Sequence, residues 1–247
     1  MKTRTGSCMV IPPAEPDRTE GSRRYSVPIG RAMGARDIAQ TVSLYRRGSA
    51  PARRNPAGEE VLYTVSGAGS CRLEGRAYAL TAGTAVYVPS GSTYRVTNES
   101  DDVLCIVAVC CPEDDESGAV EEPQEHSETP PVWRAVSESE AAAIPTGDRT
   151  FKVLVDGAVG CRRVTQFVGE IPPGDSPPHR HTYEEAIFIL AGKGRVRTPE
   201  GEAEFTAGSS IYLPRGVAHA LHNTGRTNVR LLGVFHPSGS PAARYET

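Results

Sequence analysis

Three histidines and a glutamate in the second half of the chain have the types and spacing of metal ligands: His179, His181, Glu185 and His219. Side chains two apart on an extended strand leave the same face, so His179 and His181 point together. Glu185 lies an even number of residues beyond both, and on a regular strand its carboxylate shares that face. The apolar run from Ser210 to Pro214, punctuated by Gly208, Pro214 and Gly216, reads as a neighbouring antiparallel strand that brings His219 to the other three. Imidazoles with one carboxylate suit one divalent first-row ion per chain, Fe2+, Mn2+, Ni2+, Co2+ or Zn2+, without fixing which. Two octahedral positions stay open for substrate or dioxygen.

Other groups are placed by the same parity. Glu185 is read as a ligand able to pass a proton, and Tyr183, in phase with His181, as a second catalytic candidate facing inward. Glu184 points outward. His222 has the opposite parity to His219 and packs outside or hydrogen-bonds Asn223, and Tyr212 is a candidate for lining the barrel mouth, although its counterpart Tyr87 points to a structural role shared by both halves.

The full spacing runs from Gly174 through His179, His181, Glu185 and Gly192, then Gly208, Pro214, Gly216, His219 and Asn223. It resembles the two signature motifs of the cupin superfamily, with one residue fewer before His179. The resemblance implies a jelly-roll barrel holding the metal inside, ligated by His179, His181, Glu185 and His219.

The elements that must position this set occur twice. A shift of 125 residues lays Glu59 and Glu60 on Glu184 and Glu185, Gly67 on Gly192, Gly83 on Gly208, Tyr87 on Tyr212, Pro89 on Pro214, Gly91 on Gly216 and Asn98 on Asn223. A repeat of domain size means two barrels, so the chain looks like a bicupin. The expected fold is all-β: two tandem cupin (jelly-roll) barrels joined by an acidic, Pro-rich linker. Residues 1–21 form an N-terminal arm or a strand lent to the other barrel, 22–111 the first barrel, 112–131 the linker and 132–247 the second barrel. The linker holds eight acidic residues, four prolines and no Lys or Arg, too little apolar surface to order itself. The repeat fails at the ligands. His179 falls on Arg54, His181 on Pro56 and His219 on Tyr94, or with one residue of slack the first two fall on Arg53 and Asn55. No imidazole results, so no metal is expected in the first barrel. Glu60 is expected to pair with Arg53 or Arg54, and an organic anion held by that Arg and Tyr94 is the sharper alternative.

Alternation in 38–45, 84–88 and 164–171 signals strands, and Ser137–Ile144 reads as the one helix, capped by Ser137 and ended by Pro145. A net charge of −3 gives no general attraction to nucleic acid or an anionic membrane. The expected partner is a small-molecule substrate, with no nucleic acid and no membrane, and the chain is a monomer or homodimer. Without an apolar leader or long apolar span, a cytoplasmic location is expected. The six cysteines have no CxxC spacing and are read as reduced thiols.

Three functions fit. The first is a mononuclear non-haem oxygenase acting on an oxygen-rich or aromatic molecule, as the resemblance to quercetinase-like bicupins implies. The second is redox-neutral isomerase, decarboxylase, cyclase or lyase chemistry at the same ion. The third is a non-catalytic ligand-binding cupin. Ureidoglycine aminohydrolases also keep metal only in the second barrel, but with a Glu first and a Gln last in the ligand order, unlike this chain.

Overall fold

The computed structural model describes residues 3–112, 118–120 and 132–242. Strands dominate, all paired antiparallel, and the described residues contain no α-helix, only short 3-10 turns at Arg31–Met33 and Gly157–Val159. Among the described residues no helix is long and apolar enough to cross a membrane.

Each half folds into a large sheet facing a smaller one. In the first half, Thr84–Val88, Glu59–Ser66, Leu104–Cys111, Ala39–Tyr45 and Arg23–Ile29 form the large sheet, opposed by strands including Arg76–Thr81, Ala68–Leu73 and Thr93–Asn98. In the second, Ser210–Leu213, Glu184–Ala191, Val229–His236, Thr165–Ile171 and Arg149–Val155 oppose Gly201–Thr206, Lys193–Thr198 and Ala220–Asn223. The turns repeat too: Gly67 and Gly192 both have positive φ, and a Cβ on Gly67 would come within 2.6 Å of the Val103 carbonyl. Only glycine fits there. The final Asn of each repeat ties down a corner, Asn98 donating to the carbonyls of Tyr45 and Asp102 and Asn223 to those of Ile171 and Thr227.

Three apolar cores follow from strand alternation. Leu62, Leu73, Tyr78, Val96 and Ile106 fill the first barrel, and Ile187, Val196, Phe205, Leu213 and Leu231 the second. The third lies between the barrels and draws on both halves, with Val61, Val107, Val109 and Tyr87 meeting Val168, Ala186, Val234 and Tyr212. The outward faces of the two large sheets are therefore apolar because they cover each other.

The halves also exchange edges. Cys8–Ile11 adds to the second barrel through Met9–Tyr212 and Ile11–Ser210 pairing, while Ala135–Ser137 adds to the first against Thr84–Val86. Within the acidic stretch, Gly118–Val120 pairs with Ala52–Arg54. That segment is thus part of the first barrel's sheet rather than spacer, since an edge strand is held by backbone pairing that needs no apolar side chain. The rest of the acidic stretch, 113–117 and 121–131, lies outside the described residues.

The helix expected over Ser137–Ile144 does not form. Ser137 ends a strand, a single turn follows in which the Ser137 carbonyl accepts from Glu140 and Ala141, and Ile144–Thr146 is again extended. A segment this short cannot repay helix nucleation. Glu138 is instead held by Tyr63 at 2.5 Å and by Arg230.

Candidate metal centre

The regular strand begins only at Glu184, so His179 and His181 come from the loop before it. Backbone pairing replaces the expected strand: His179 and His219 exchange two N–H···O bonds of 2.9 Å. Glu185 is the first inward residue of its strand. The four side chains are thereby brought together at one end of a pocket.

All three rings are oriented alike. His181 Nδ1 lies 2.8 Å from the Tyr183 carbonyl, His219 Nδ1 2.9 Å from that of Val217, and His179 Nδ1 3.5 Å from that of Pro177. A carbonyl accepts only from a protonated nitrogen, so each contact places a proton on Nδ1 and leaves Nε2 as the nitrogen that can turn to an ion. His181 Nε2 is buried without a hydrogen-bond partner, 3.3 Å from Glu185 Oε2. An orphaned nitrogen beside a carboxylate oxygen is what a site built for a cation presents. Burial, reinforced by His179 and His181, pushes His219 down to about 3, and burial likewise lowers His179. Neutral rings can bind an ion without first losing a proton.

With a ligand bond of about 2.1 Å, two cis imidazoles sit with ring centres roughly 4.5 Å apart. The His179–His219 and His181–His219 centres are 4.6 and 4.8 Å apart, but His179 and His181 are 6.3 Å apart. Among the described residues no group of three or more His, Cys, Asp or Glu is yet set to hold an ion. His179, half-buried and with the longest Nδ1 contact, is the least fixed of the three rings. The donor chemistry fits a divalent metal once the side chains close on it.

Around this set lies a pocket whose walls are mostly apolar, with Phe151, Phe167, Leu221 and Leu231 among them. Tyr183 is on the wall, its ring stacked between His181 at 3.9 Å and Phe235 at 4.2 Å. Arg149 contributes a cation, its side chain 16% exposed. Neither motif contains Arg149 or Phe167. The alternation through 164–171 could have marked Phe167 as inward, but nothing in the sequence brings Arg149 to the site. His222 lies outside the pocket, 2.6 Å from Asp175. Glu184 does leave the barrel, yet it is only 1% exposed because the other barrel covers it.

The first barrel is filled differently. Pairing sets Arg53 opposite Tyr94, where the second barrel has His179 opposite His219. Glu60 accepts from Tyr94 Oη at 3.0 Å, while Arg53 binds Glu20 at 2.8 Å and Arg54 donates to the Gly91 carbonyl. As expected, the charge of Glu60 acts on Arg53, but the hydrogen bond to Glu60 comes from Tyr94, and the ion pair of Arg53 is with Glu20.

A model of the cupin domain matches residues 41–110 and again 167–235, more than half of the chain. The chain belongs to the cupin family. It is 30% identical to auxin-binding protein 1 of Arabidopsis thaliana over 95 residues, which are 34% of this chain and 48% of that protein. It is 32% identical to an oxalate-binding protein of Thermotoga maritima over 68 residues, 27% and 56% of the two. The chain spans about half the length of the curated relatives it matches. Protein Ylba from E. coli superposes with TM-score 0.74 at 15% identity, covering 99% of this chain and 95% of that one. Oxalate decarboxylase from Bacillus subtilis gives 0.71 at 14%, covering 92% and 75%. At such identities these two cupin structures show a shared two-barrel fold.

Proposed function

We propose that this cupin is a metal-dependent enzyme with one centre, in the second barrel, that oxygenates a small organic anion with an apolar or aromatic body. The observation that carries the reading is the set of three imidazoles with Nδ1 against backbone carbonyls, with His181 Nε2 3.3 Å from Glu185, at the end of an apolar pocket. His179, His181, Glu185 and His219 would hold a divalent first-row ion, Fe2+ first, supplying a Lewis-acidic centre with open positions for substrate and dioxygen. Every other contribution comes from the chain. Arg149 binds the substrate's acidic oxygen by charge-assisted hydrogen bonds and sets its orientation. Phe151, Phe167, Leu221 and Leu231 cover the carbon body and keep water out. Glu185, beside His181, is the carboxylate in reach to hold a proton released by the substrate, and the Tyr183 ring braces His181. The first barrel, with Arg53, Asn55 and Tyr94 in place of imidazoles, binds no ion.

Redox-neutral decarboxylation is the second reading. The Arg149 cation and the likeness to an oxalate-binding protein favour it. Against oxalate itself stands the apolar wall, since that dianion has no carbon surface to cover. The test is metal analysis of anaerobically purified protein, then oxygen uptake with catechols, flavonols, 1,3-diketones and 2-oxo acids, and carbon dioxide release from oxalate. Iron with substrate-dependent uptake supports oxygenation. Bound Mn, Ni or Zn, carbon dioxide release and no uptake overturn it in favour of decarboxylation.

A further inference from the structure

We infer that Glu184 is a positioning residue that couples the seam between the barrels to the metal centre, an inference that rests on the reading of His179, His181, Glu185 and His219 as that centre. Glu184 and Glu185 are adjacent on one strand and face opposite ways. Glu185 enters the pocket, whereas Glu184 crosses the seam. There its carboxylate accepts the backbone N–H groups of Arg36 at 3.2 Å, Asp37 at 2.7 Å and Ile38 at 2.9 Å, together with Tyr212 Oη at 3.0 Å. The three amides belong to a first-barrel loop, and the single O–H of Tyr212 is shared between Glu184 and the Gly34 carbonyl of that loop. Four donors on one buried carboxylate fix its position tightly. The strand therefore starts where the other barrel puts it, between the loop bearing two histidines and the residue bearing the carboxylate ligand.

The repeat supplies a matched control. Glu59, which corresponds to Glu184, accepts across the same seam from the amides of Arg162 at 3.1 Å and Arg163 at 2.9 Å, from the Cys161 thiol and from Tyr87. Its neighbour Glu60 has no imidazoles around it. Loss of either clasp should loosen the seam to a similar degree, but only Glu184 touches a strand that carries a metal ligand. A carboxylate-to-amide change sets an NH2 against backbone N–H groups and leaves a buried donor unmatched.

The experiment compares Glu184→Gln with Glu59→Gln, and the milder Tyr212→Phe with Tyr87→Phe, in the full-length protein. Each is titrated with Co2+ alone, read by visible absorption, and melted in urea without metal. The expected result is about tenfold weaker Co2+ binding for the Glu184 and Tyr212 variants, wild-type binding for the Glu59 and Tyr87 variants, and similar stability losses within each pair. Equal metal affinity within both pairs overturns the inference and leaves Glu184 a structural clasp. If either Gln variant fails to fold, the Phe pair decides alone. If the wild type binds no Co2+, or His219→Ala binds it as well as the wild type does, the metal-centre reading fails and this inference fails with it.

Discussion

A single methyl group added at Gly233 should disable the metal centre while sparing the fold. Gly233 lies on Val229–His236, paired with Phe167 on one side and Ile187 on the other. A Cβ there would sit 2.4 Å from Phe167 Cε1 and Cζ and 2.8 Å from Glu185 Oε1. Ordinary contact needs about 3.5 Å, so the ring must retreat by about 1 Å and the carboxylate by about 0.7 Å. Phe167 lines the pocket and can turn into it, so Gly233→Ala should cost the metal-free protein only about 1 kcal/mol, at the low end for overpacking. The centre bears more. A displaced ligand carboxylate and a ring turned into the substrate space should weaken metal binding 10–100-fold, about 1.4–2.8 kcal/mol. Titration calorimetry with Mn2+ or Co2+, beside urea melts of the metal-free protein, measures both. The first barrel has Ala108 at the equivalent position, facing Thr41 instead of a phenylalanine, so Ala108→Gly should leave metal binding untouched. A Gly233→Ala protein with wild-type affinity and stoichiometry would refute the placing of Glu185 as a ligand.

Replacing His219 or His179 by Ala should lower metal content from about one ion per chain to near zero, measured by elemental analysis; two ions per wild-type chain would contradict a metal-free first barrel. Arg149→Met should raise KM for an anionic substrate at least tenfold, about 1.4 kcal/mol, with a smaller change in kcat; an unchanged KM would remove Arg149 from substrate binding. Glu20 gives a pH signature in the first barrel: burial alone would raise its pKa, but Arg53 and Arg23 more than offset it and hold it below the ordinary glutamate value. Its stabilising effect is therefore full above that value and lost as pH falls through the folded-state pKa. Glu20→Gln should cost roughly 1–2 kcal/mol at pH 7, and in urea melts the difference from wild type should vanish in acid; a pH-independent gap would show that charge is not the cause.

The sequence made the two barrels legible because turn glycines and corner asparagines recur at one spacing: Gly67 with Gly192 and Asn98 with Asn223 meet the same backbone demands twice. The candidate ligands were legible because chemistry restricts which residue types can stand at each position. Parity showed which face Glu184 leaves from but not that another barrel buries that face. For the same reason the helix expected at Ser137–Ile144 was an error. Local capping signals pointed to a helix, and strand pairing with Thr84–Val86 and the grip of Tyr63 and Arg230 on Glu138 overrode them. Arg149 was invisible because its route into the pocket depends on how an edge strand folds back, which no short motif encodes.

The asymmetry of the repeat has a physical logic. In the second barrel a buried carboxylate, Glu185, stands beside three imidazoles, an arrangement that suits a cation from solution. In the first barrel the equivalent carboxylate, Glu60, takes a hydrogen bond from Tyr94, and Arg53 brings a permanent positive charge into the same interior. Buried charge is tolerable only when compensated, so a covalently attached cation can serve in place of an exchangeable one. An arginine cannot offer open coordination positions. On the proposed reading the first barrel retains the electrostatic balance of the site without its ion, and it supplies the loop amides that hold Glu184 beside Glu185.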